Sequence, residues 1–131
     1  MFVMETTEVG VVPARKVHAC GLQDALERTR RRGFAVDNQE YTPGVFCLAV
    51  PIPGNECRAE VSLSVSVPMT RVSRKALTHI LSQLAATSLD ISRRIGNTAG
   101  NAKLAALSDP DMAGAQIEAL VHSPHYRLEL D

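Results

Sequence analysis

Residues 45–67, VFCLAVPIPGNECRAEVSLSVSV, carry the strongest structural signal in this 131-residue chain. Residues 45–52 are almost continuously apolar, as expected for a strand that is covered on both faces. A Pro-Gly-Asn turn follows at 53–55, and residues 58–67 then alternate. One face of this second strand carries Ala59, Val61, Leu63, Val65 and Val67, and the other carries Arg58, Glu60, Ser62, Ser64 and Ser66. The stretch therefore predicts an antiparallel hairpin.

The sequence before this hairpin predicts a helix, a short strand and a loop. Apolar positions recur at helical spacing from Leu22 to Arg32, and Gly33 after an arginine-rich turn is typical of a helix end. We interpret these arginines as solvated cations that offset the helix dipole, and not as a nucleic-acid patch. Phe34-Ala35-Val36 predicts a short strand that ends at Asp37, and the Asn, Pro and Gly of residues 38–44 indicate a loop.

The sequence after the hairpin predicts a long helix. Ser73 is a candidate N-cap, the helix runs to about Ile95, and Gly96 ends it. Its expected buried stripe consists of Leu77, Ile80, Leu81, Leu84, Ser88, Ile91 and Ile95.

The C-terminal stretch predicts one further helix. Residues 97–108 are rich in Ala and Asn and are interpreted as a linker. Asp109 as N-cap and Pro110 as first helical residue predict a helix that reaches about Leu120. Residues 126–130 alternate and predict a short strand.

The predicted order of elements indicates the α+β class, an antiparallel sheet with helices packed on it. We divide the chain into a poorly defined N-terminal segment 1–20, a domain 21–96 and a C-terminal extension 97–131 with one short helix. The valines within residues 9–12 fit either a short strand or a frayed tail, and the pattern leaves both open.

Composition argues against several classes of protein. The formal net charge is zero, whereas a free-standing nucleic-acid binder is usually basic. The 3 cysteines have no close spacing and form neither a disulfide framework nor a zinc motif, which favours a reducing, cytoplasmic location. No apolar run approaches ~18 residues and the first residues do not resemble a signal peptide, so we expect no contact with a membrane.

Catalysis and metal binding have little support in the sequence. Cys47 with His18 or His79 could be drawn as a thiol–imidazole pair, but no third orienting group or oxyanion loop follows from the spacing. His122 and His125 form an HxxH pair, which is nonspecific without further ligands. We therefore predict no enzyme activity, no catalytic residue, no metal site and no cofactor.

Three segments together resemble the end of the effector-binding domain of the IclR family of transcriptional regulators. They are GFAVDNQEYTPGVFCLAVPIPG at 33–54, VSLSVSVPMTRVS at 61–73 and LAATSLDISRRIG at 84–96. The shared features are an aromatic after Gly, a D-[ND]-x-E loop, Gly-x-x-Cys, a serine-rich strand ending in Pro, and an I-S-R-R-[IL]-G helix end. The resemblance spans roughly residues 22–96 and implies a GAF-like sheet with helices on its faces.

Two departures from the family pattern affect the expected function. The family's regulators begin with a winged helix-turn-helix, and the first half of their sensor domain contributes an Ala/Gly-rich pocket loop. Neither is found in this sequence, so DNA binding is expected only through a linked helix-turn-helix domain absent from this chain. Val67 stands where the family usually has Gly in a Ser-Gly-Pro turn, and residues 97–131 extend past the family's usual end.

The hydroxyl-bearing face of the second hairpin strand is a candidate binding surface. Charged residues stop at Glu60, which leaves the small side chains of Ser62, Ser64 and Ser66 in a row. Hydroxyls donate and accept hydrogen bonds, so this face fits a ligand hollow, although a plain exposed or helix-covered face fits it too. The resemblance implies that Ser64 and Ser66 line the family's ligand pocket.

Three further residues are implicated by the resemblance. Asp37 matches a residue that reaches the ligand, although an Asx-turn to the amide of Gln39 is an alternative role. Cys47 matches a pocket wall, and Val45 shares its face of the strand; a buried free cysteine is otherwise most often a small hydrophobe.

We therefore expect a ligand-sensing module that binds a small organic acid. The expected ligand-binding residues are Asp37, Val45, Cys47, Ser64 and Ser66. Binding is expected to shift a homodimer or homotetramer between DNA-competent and incompetent arrangements. The alternative hypothesis is a truncated remnant that keeps only an oligomerisation and packing role.

Overall fold

The computed structural model describes residues 19–55, 59, 61–126 and 128–130. The elements in chain order are α1 (Ala19–Arg32), β1 (Ala35–Asn38), β2 (Val45–Ile52), β3 (Val61–Pro68), a 3₁₀ turn (Met69–Arg71), α2 (Arg74–Arg94), α3 (Ala102–Ser108) and α4 (Pro110–Val121). This arrangement confirms the predicted α+β class. The valines considered for an N-terminal strand lie outside the described residues.

The described strands form one antiparallel sheet in the order β1-β2-β3. Because side chains alternate along a strand, one face of this sheet turns toward α2 and the other turns away. Phe46, Leu48 and Val50 of β2 are buried in one hydrophobic cluster with leucines of α2. The opposite face, here called the serine face, carries Ala35, Asp37, Val45, Cys47, Ala49, Pro51, Ser62, Ser64, Ser66 and Pro68. The alternation predicted for the second hairpin strand is confirmed from residue 61 to residue 67.

Helix α2 begins and ends where the sequence predicted. The Ser73 side chain accepts a hydrogen bond from the Ala76 amide at 3.1 Å, and Gly96 follows the helix with a φ of 92°. The predicted buried stripe is wrong at its C-terminal end, because Ile95 is 58% exposed and Ser92 is buried instead. The last turn of α2 lies against backbone carbonyls rather than apolar side chains, so the buried positions there are polar.

Two buried serines of α2 attach the helix to the end of β2. The Ser88 hydroxyl donates to the Pro51 carbonyl at 2.5 Å, and the Ser92 hydroxyl donates to the Pro53 carbonyl at 2.6 Å. The Asn97 side-chain amide donates to the Ser92 hydroxyl oxygen at 2.9 Å. Because buried carbonyls need donors, these bonds hold the hairpin against the helix at a defined position.

Ser88→Ala is expected to lower the free energy of unfolding by about 1–3 kcal/mol, because it removes the hydroxyl donor from the part-buried Pro51 carbonyl. Urea denaturation measures the change. Ser108→Ala is the matched control, because the Ser108 hydroxyl bonds to the Ala105 carbonyl within its own helix at an exposed site. Equal losses in the two variants would contradict a special role for the Ser88 bond.

The predicted linker over residues 97–108 is wrong, because this stretch contains α3. The Asn101 side chain caps the helix by accepting from the Leu104 amide at 3.0 Å. Leu104 and Leu107 are buried in the same cluster as the sheet and α2. The extension therefore contains two helices rather than one. A helix of 7 residues is too short for its periodicity to stand out in sequence.

The predicted strand over residues 126–130 is not formed by the residues described there, which are in turn or irregular conformation. The segment instead contacts β1 and α1 through side chains. The Asn38 amide donates to the Tyr126 carbonyl at 2.8 Å, and the Arg32 guanidinium donates to the Tyr126 hydroxyl at 3.0 Å. The start of α4 agrees with the prediction, because the Asp109 side chain accepts from the Met112 amide at 3.1 Å.

Candidate functional site

The serine face brings all five predicted ligand-binding residues to one side of the sheet. Asp37 of β1 pairs with Cys47 of β2, and Cys47 pairs with Ser66 of β3, so the three form a row across the strands. The Cys47 sulfur lies 3.2 Å from the Ser66 hydroxyl oxygen. Val45 and Ser64 flank this row on the same face. The sheet therefore places an acid, a thiol and a hydroxyl side by side.

Asp37 is 4% exposed and forms a turn at the end of β1. Its Oδ1 accepts a hydrogen bond from the Glu40 amide at 2.7 Å, whereas the sequence suggested the Gln39 amide. Gln39 itself adopts a φ of 60°, and its side-chain oxygen accepts from the Gly44 amide at 3.0 Å. Oδ2 of Asp37 has no hydrogen-bond partner among the described residues. One carboxylate oxygen thus holds the loop between β1 and β2.

The serine face is open in the described structure rather than enclosed. Ser62, Ser64 and Ser66 are exposed, Cys47 is half-buried, and Ala49 between them is buried. The expected pocket is therefore an open surface, because the described residues cover only one side of it. The prediction that β2 is covered on both faces is correct on the side of α2 and only partly correct on this side.

A cavity of about 640 Å³ opens at the other end of the serine face, where β1 begins and β2 ends. Ala35, Ala49 and Ser62 contribute to it from the sheet, and Arg30 and Lys103 contribute from α1 and α3. The ammonium group of Lys103 donates to the Arg30 carbonyl, which joins the two helices at the cavity rim. This end of the face is therefore cationic, in contrast to the Asp37 end.

The five predicted residues do not line this cavity, but Ser64 adjoins it. Ser64 pairs with Ala49, which does line it. Sequence reasoning missed Arg30 because it was interpreted as a solvated residue, and Lys103 because it was assigned to a linker. The one available signal for Lys103 was the Asn101 cap followed by buried positions at helical spacing.

Of the two imidazoles considered as partners for Cys47, His18 lies outside the described residues. His79 is exposed on α2, and the Cys47 thiol contacts the Ser66 hydroxyl. In the part of the chain that the structure describes, no group of three His, Cys, Asp or Glu side chains could hold a metal ion. Within the same residues, no helix is both long enough and apolar enough to cross a membrane.

Known proteins with similar sequence are transcriptional regulators. The profile of the family described as "Bacterial transcriptional regulator IclR C-terminal" matches residues 4–93. The HTH-type transcriptional regulator XynR of Escherichia coli is 37% identical over 84 residues, which are 64% of this chain and 33% of XynR. The chain thus spans a third or less of the length of the curated relatives it matches.

Solved structures show the same fold. The C-terminal domain of the E. coli transcriptional regulator KdgR matches with a TM-score of 0.59 and 27% identity, over 65% of this chain and 52% of that one. The inducer-binding domain of PobR from Acinetobacter, solved in complex with 3-hydroxybenzoic acid, matches with a TM-score of 0.55 and 19% identity, over 63% and 47% of the two chains. These matches confirm the predicted GAF-like α+β fold.

Proposed function

The chain belongs to the IclR family of bacterial transcriptional regulators, as part of the C-terminal domain, and on that premise we propose that it senses a small organic acid. The family consists of regulators and not of enzymes. Binding of the acid would control the DNA-binding activity of a linked helix-turn-helix domain. The observation that supports this proposal is the row of Asp37, Cys47 and Ser66 on one open sheet face.

The serines are suited to bind the carboxylate of the ligand. Ser64 and Ser66 lie two residues apart on the same face, about 7 Å along the strand. Their exposed hydroxyls can rotate to donate hydrogen bonds to carboxylate oxygens. Val45 and the half-buried Cys47 would provide an apolar wall for the carbon skeleton of the ligand.

The charges along the serine face favour one orientation of the acid. Asp37 at one end would repel a carboxylate, whereas Arg30 and Lys103 at the other end would attract it. We therefore place the carboxylate between Ser64 and Ser66, on the side that faces the cationic cavity. A hydroxyl of the ligand would then donate to Oδ2 of Asp37. An acid with both groups, such as a hydroxybenzoic acid, fits this arrangement.

Control of DNA binding requires that the acid bind two arrangements of the regulator with different affinity. A homodimer or homotetramer provides such arrangements, and this assembly stays a prediction. The serine face is open in the described structure, so a second wall for the ligand would come from outside the described residues.

Calorimetric titration with a panel of small carboxylic acids that includes 3-hydroxybenzoic acid tests the proposed site. Ser64→Ala and Ser66→Ala are each expected to weaken binding about 5- to 10-fold, because each removes one hydrogen bond to the carboxylate, about 1–1.4 kcal/mol. Thr87→Ala removes an exposed hydroxyl from α2 and is expected to leave the affinity unchanged.

Binding that is unaffected by both serine substitutions would refute the site. The alternative function, an oligomerisation and packing role alone, predicts a different pair of observations. Light scattering would show a stable oligomer, and no acid of the panel would shift the thermal unfolding temperature. A ligand-dependent shift together with the serine effects would exclude that alternative.

A further inference from the structure

A second cleft, of about 200 Å³, lies between α1 and α4 and is here called the arginine cleft. Its lining consists of Arg28, Arg31, Arg32, Gln116, Ala119, Leu120 and Ser123. The volume is below the roughly 300–1,000 Å³ of pockets that hold organic ligands of drug size. The cleft is therefore suited to a small ion or a single functional group.

Arg28 lines this cleft, and its side chain has an unsatisfied donor. Its Nε is buried and has no hydrogen-bond partner among the residues that the structure describes. A buried N–H group without an acceptor is costly, and such groups in native proteins usually indicate a missing partner. The chain thus positions a charged donor at a site where the described residues provide no acceptor for it.

Arg32 is held in a fixed position on the same helix. Its Nε donates to the Phe34 carbonyl at 2.7 Å, and its terminal nitrogen donates to the Tyr126 hydroxyl. The guanidinium also lies over the rings of Phe34 and Tyr126, at 5.0 Å and 5.3 Å from their centroids. One cationic wall of the cleft is therefore preorganised and needs little reordering to bind an anion.

The cleft has an excess of positive charge. Among the described residues, its only ion pair joins Arg31 to Glu27 at 3.4 Å, and both side chains are exposed. Two nearby acids do not neutralise the cleft. Asp24, one turn before Arg28, forms no ion pair with it. Glu118 of α4 pairs with Arg74 instead, at 2.5 Å. The C-terminal ends of α1 and α4 contribute roughly half a negative charge each. Three guanidinium groups exceed these opposing charges.

We propose that the arginine cleft binds a small oxyanion, namely phosphate, either free or as the phosphoryl group of a small metabolite. Guanidinium groups match the geometry of phosphate oxygens with planar pairs of N–H donors. The anion would accept from the guanidinium groups that line the cleft, and the Ser123 hydroxyl and the Gln116 amide would supply neutral donors. Gln116 and Ser123 lie beyond residue 93, where the family match ends, so the C-terminal extension completes this site.

Thermal unfolding of the full chain in inorganic phosphate, at ionic strength held constant with sodium chloride, tests the proposal. Phosphate is expected to raise the unfolding temperature saturably, because an anion that binds only the folded state stabilises it. Calorimetry is expected to show at least 10-fold weaker phosphate binding in Arg28→Gln. Arg31→Gln changes an exposed side chain, so the variant is expected to fold normally. It is expected to weaken phosphate binding severalfold.

Two controls connect the effect to the cleft. Arg94→Gln removes an exposed arginine that pairs with Asp90 four residues earlier, and it is expected to leave the phosphate effect intact. Ser64→Ala, on the serine face, is also expected to leave it intact, which separates this site from the proposed acid site. Glycerol 3-phosphate identifies the source: equal binding indicates a metabolite phosphoryl group, and binding of inorganic phosphate alone indicates the free ion.

The proposal is overturned if phosphate has no saturable effect, or if its effect persists unchanged in both Arg28→Gln and Arg31→Gln. It is also overturned if the chain binds duplex DNA through these arginines while inorganic phosphate and glycerol 3-phosphate do not bind.

Discussion

Leu104→Ala is expected to lower the free energy of unfolding by about 2–5 kcal/mol, measured by urea denaturation. Leu104 is 1% exposed and belongs to the same cluster as Leu77 and Leu81 of α2. Truncation would leave a cavity between the helices that the neighbouring side chains fill only in part. The same change in a solvated linker would cost less than about 0.5 kcal/mol, so the measurement distinguishes a core helix from a linker.

Two further variants separate loss of packing from a general sensitivity of the C-terminal helices. Met112→Ala truncates a side chain of α4 that is 49% exposed, and it is expected to cost much less than Leu104→Ala. Leu104→Met conserves most of the volume and is expected to cost less than about 1.5 kcal/mol. If Leu104→Ala and Met112→Ala had equal effects, α3 would not be part of the core.

Phe46→Ala is expected to cost about 3–5 kcal/mol, because it removes a large side chain from the central strand. Phe46 is fully buried and lies opposite Val67 of β3. Its neighbour Cys47 points to the serine face, so a loosened β2 would also disturb the row of proposed ligand contacts. We therefore expect both the stability and the affinity for the organic acid to fall.

Phe46→Leu tests whether the packing of β2 matters to the acid site. It keeps an apolar side chain and is expected to retain much of the affinity for the acid that Phe46→Ala loses. Tyr41→Ala, in the loop before β2 and 71% exposed, is expected to change the free energy of unfolding by less than about 0.5 kcal/mol. A comparable loss of stability in Tyr41→Ala and Phe46→Ala would contradict the assignment of Phe46 to the core.

Features encoded by neighbouring residues were predictable from the chain alone. Strand alternation assigned Ser62, Ser64 and Ser66 to one face, because successive side chains of a strand point to opposite sides. The serine cap at residue 73 and the Asp-Pro start of α4 were equally readable, because capping satisfies amide groups within one turn. The resemblance of residues 33–54, 61–73 and 84–96 to a known family added which of these residues to consider for a ligand.

Features that depend on which elements meet were not predictable in this way. Local patterns placed Asp37, Cys47 and Ser66 on three separate strands, but their alignment in one row follows from the strand register. The burial of Ser92 in place of Ile95 follows from the carbonyl that faces it. In each case the favoured arrangement depends on a partner that is distant in the sequence.

Local order thus arises from backbone preferences and from the spacing of apolar and polar side chains within a few residues. The serine face could be predicted from that spacing. The cavity beside Arg30 and Lys103 could not be predicted from it, and neither could the arginine cleft. Arg32 and Tyr126 are 94 residues apart, and their contact forms only when the helices share one core. Burial of apolar surface drives that assembly, and it does not depend on how far apart the buried residues are in the sequence. Which polar groups become neighbours therefore depends on how the helices and strands pack.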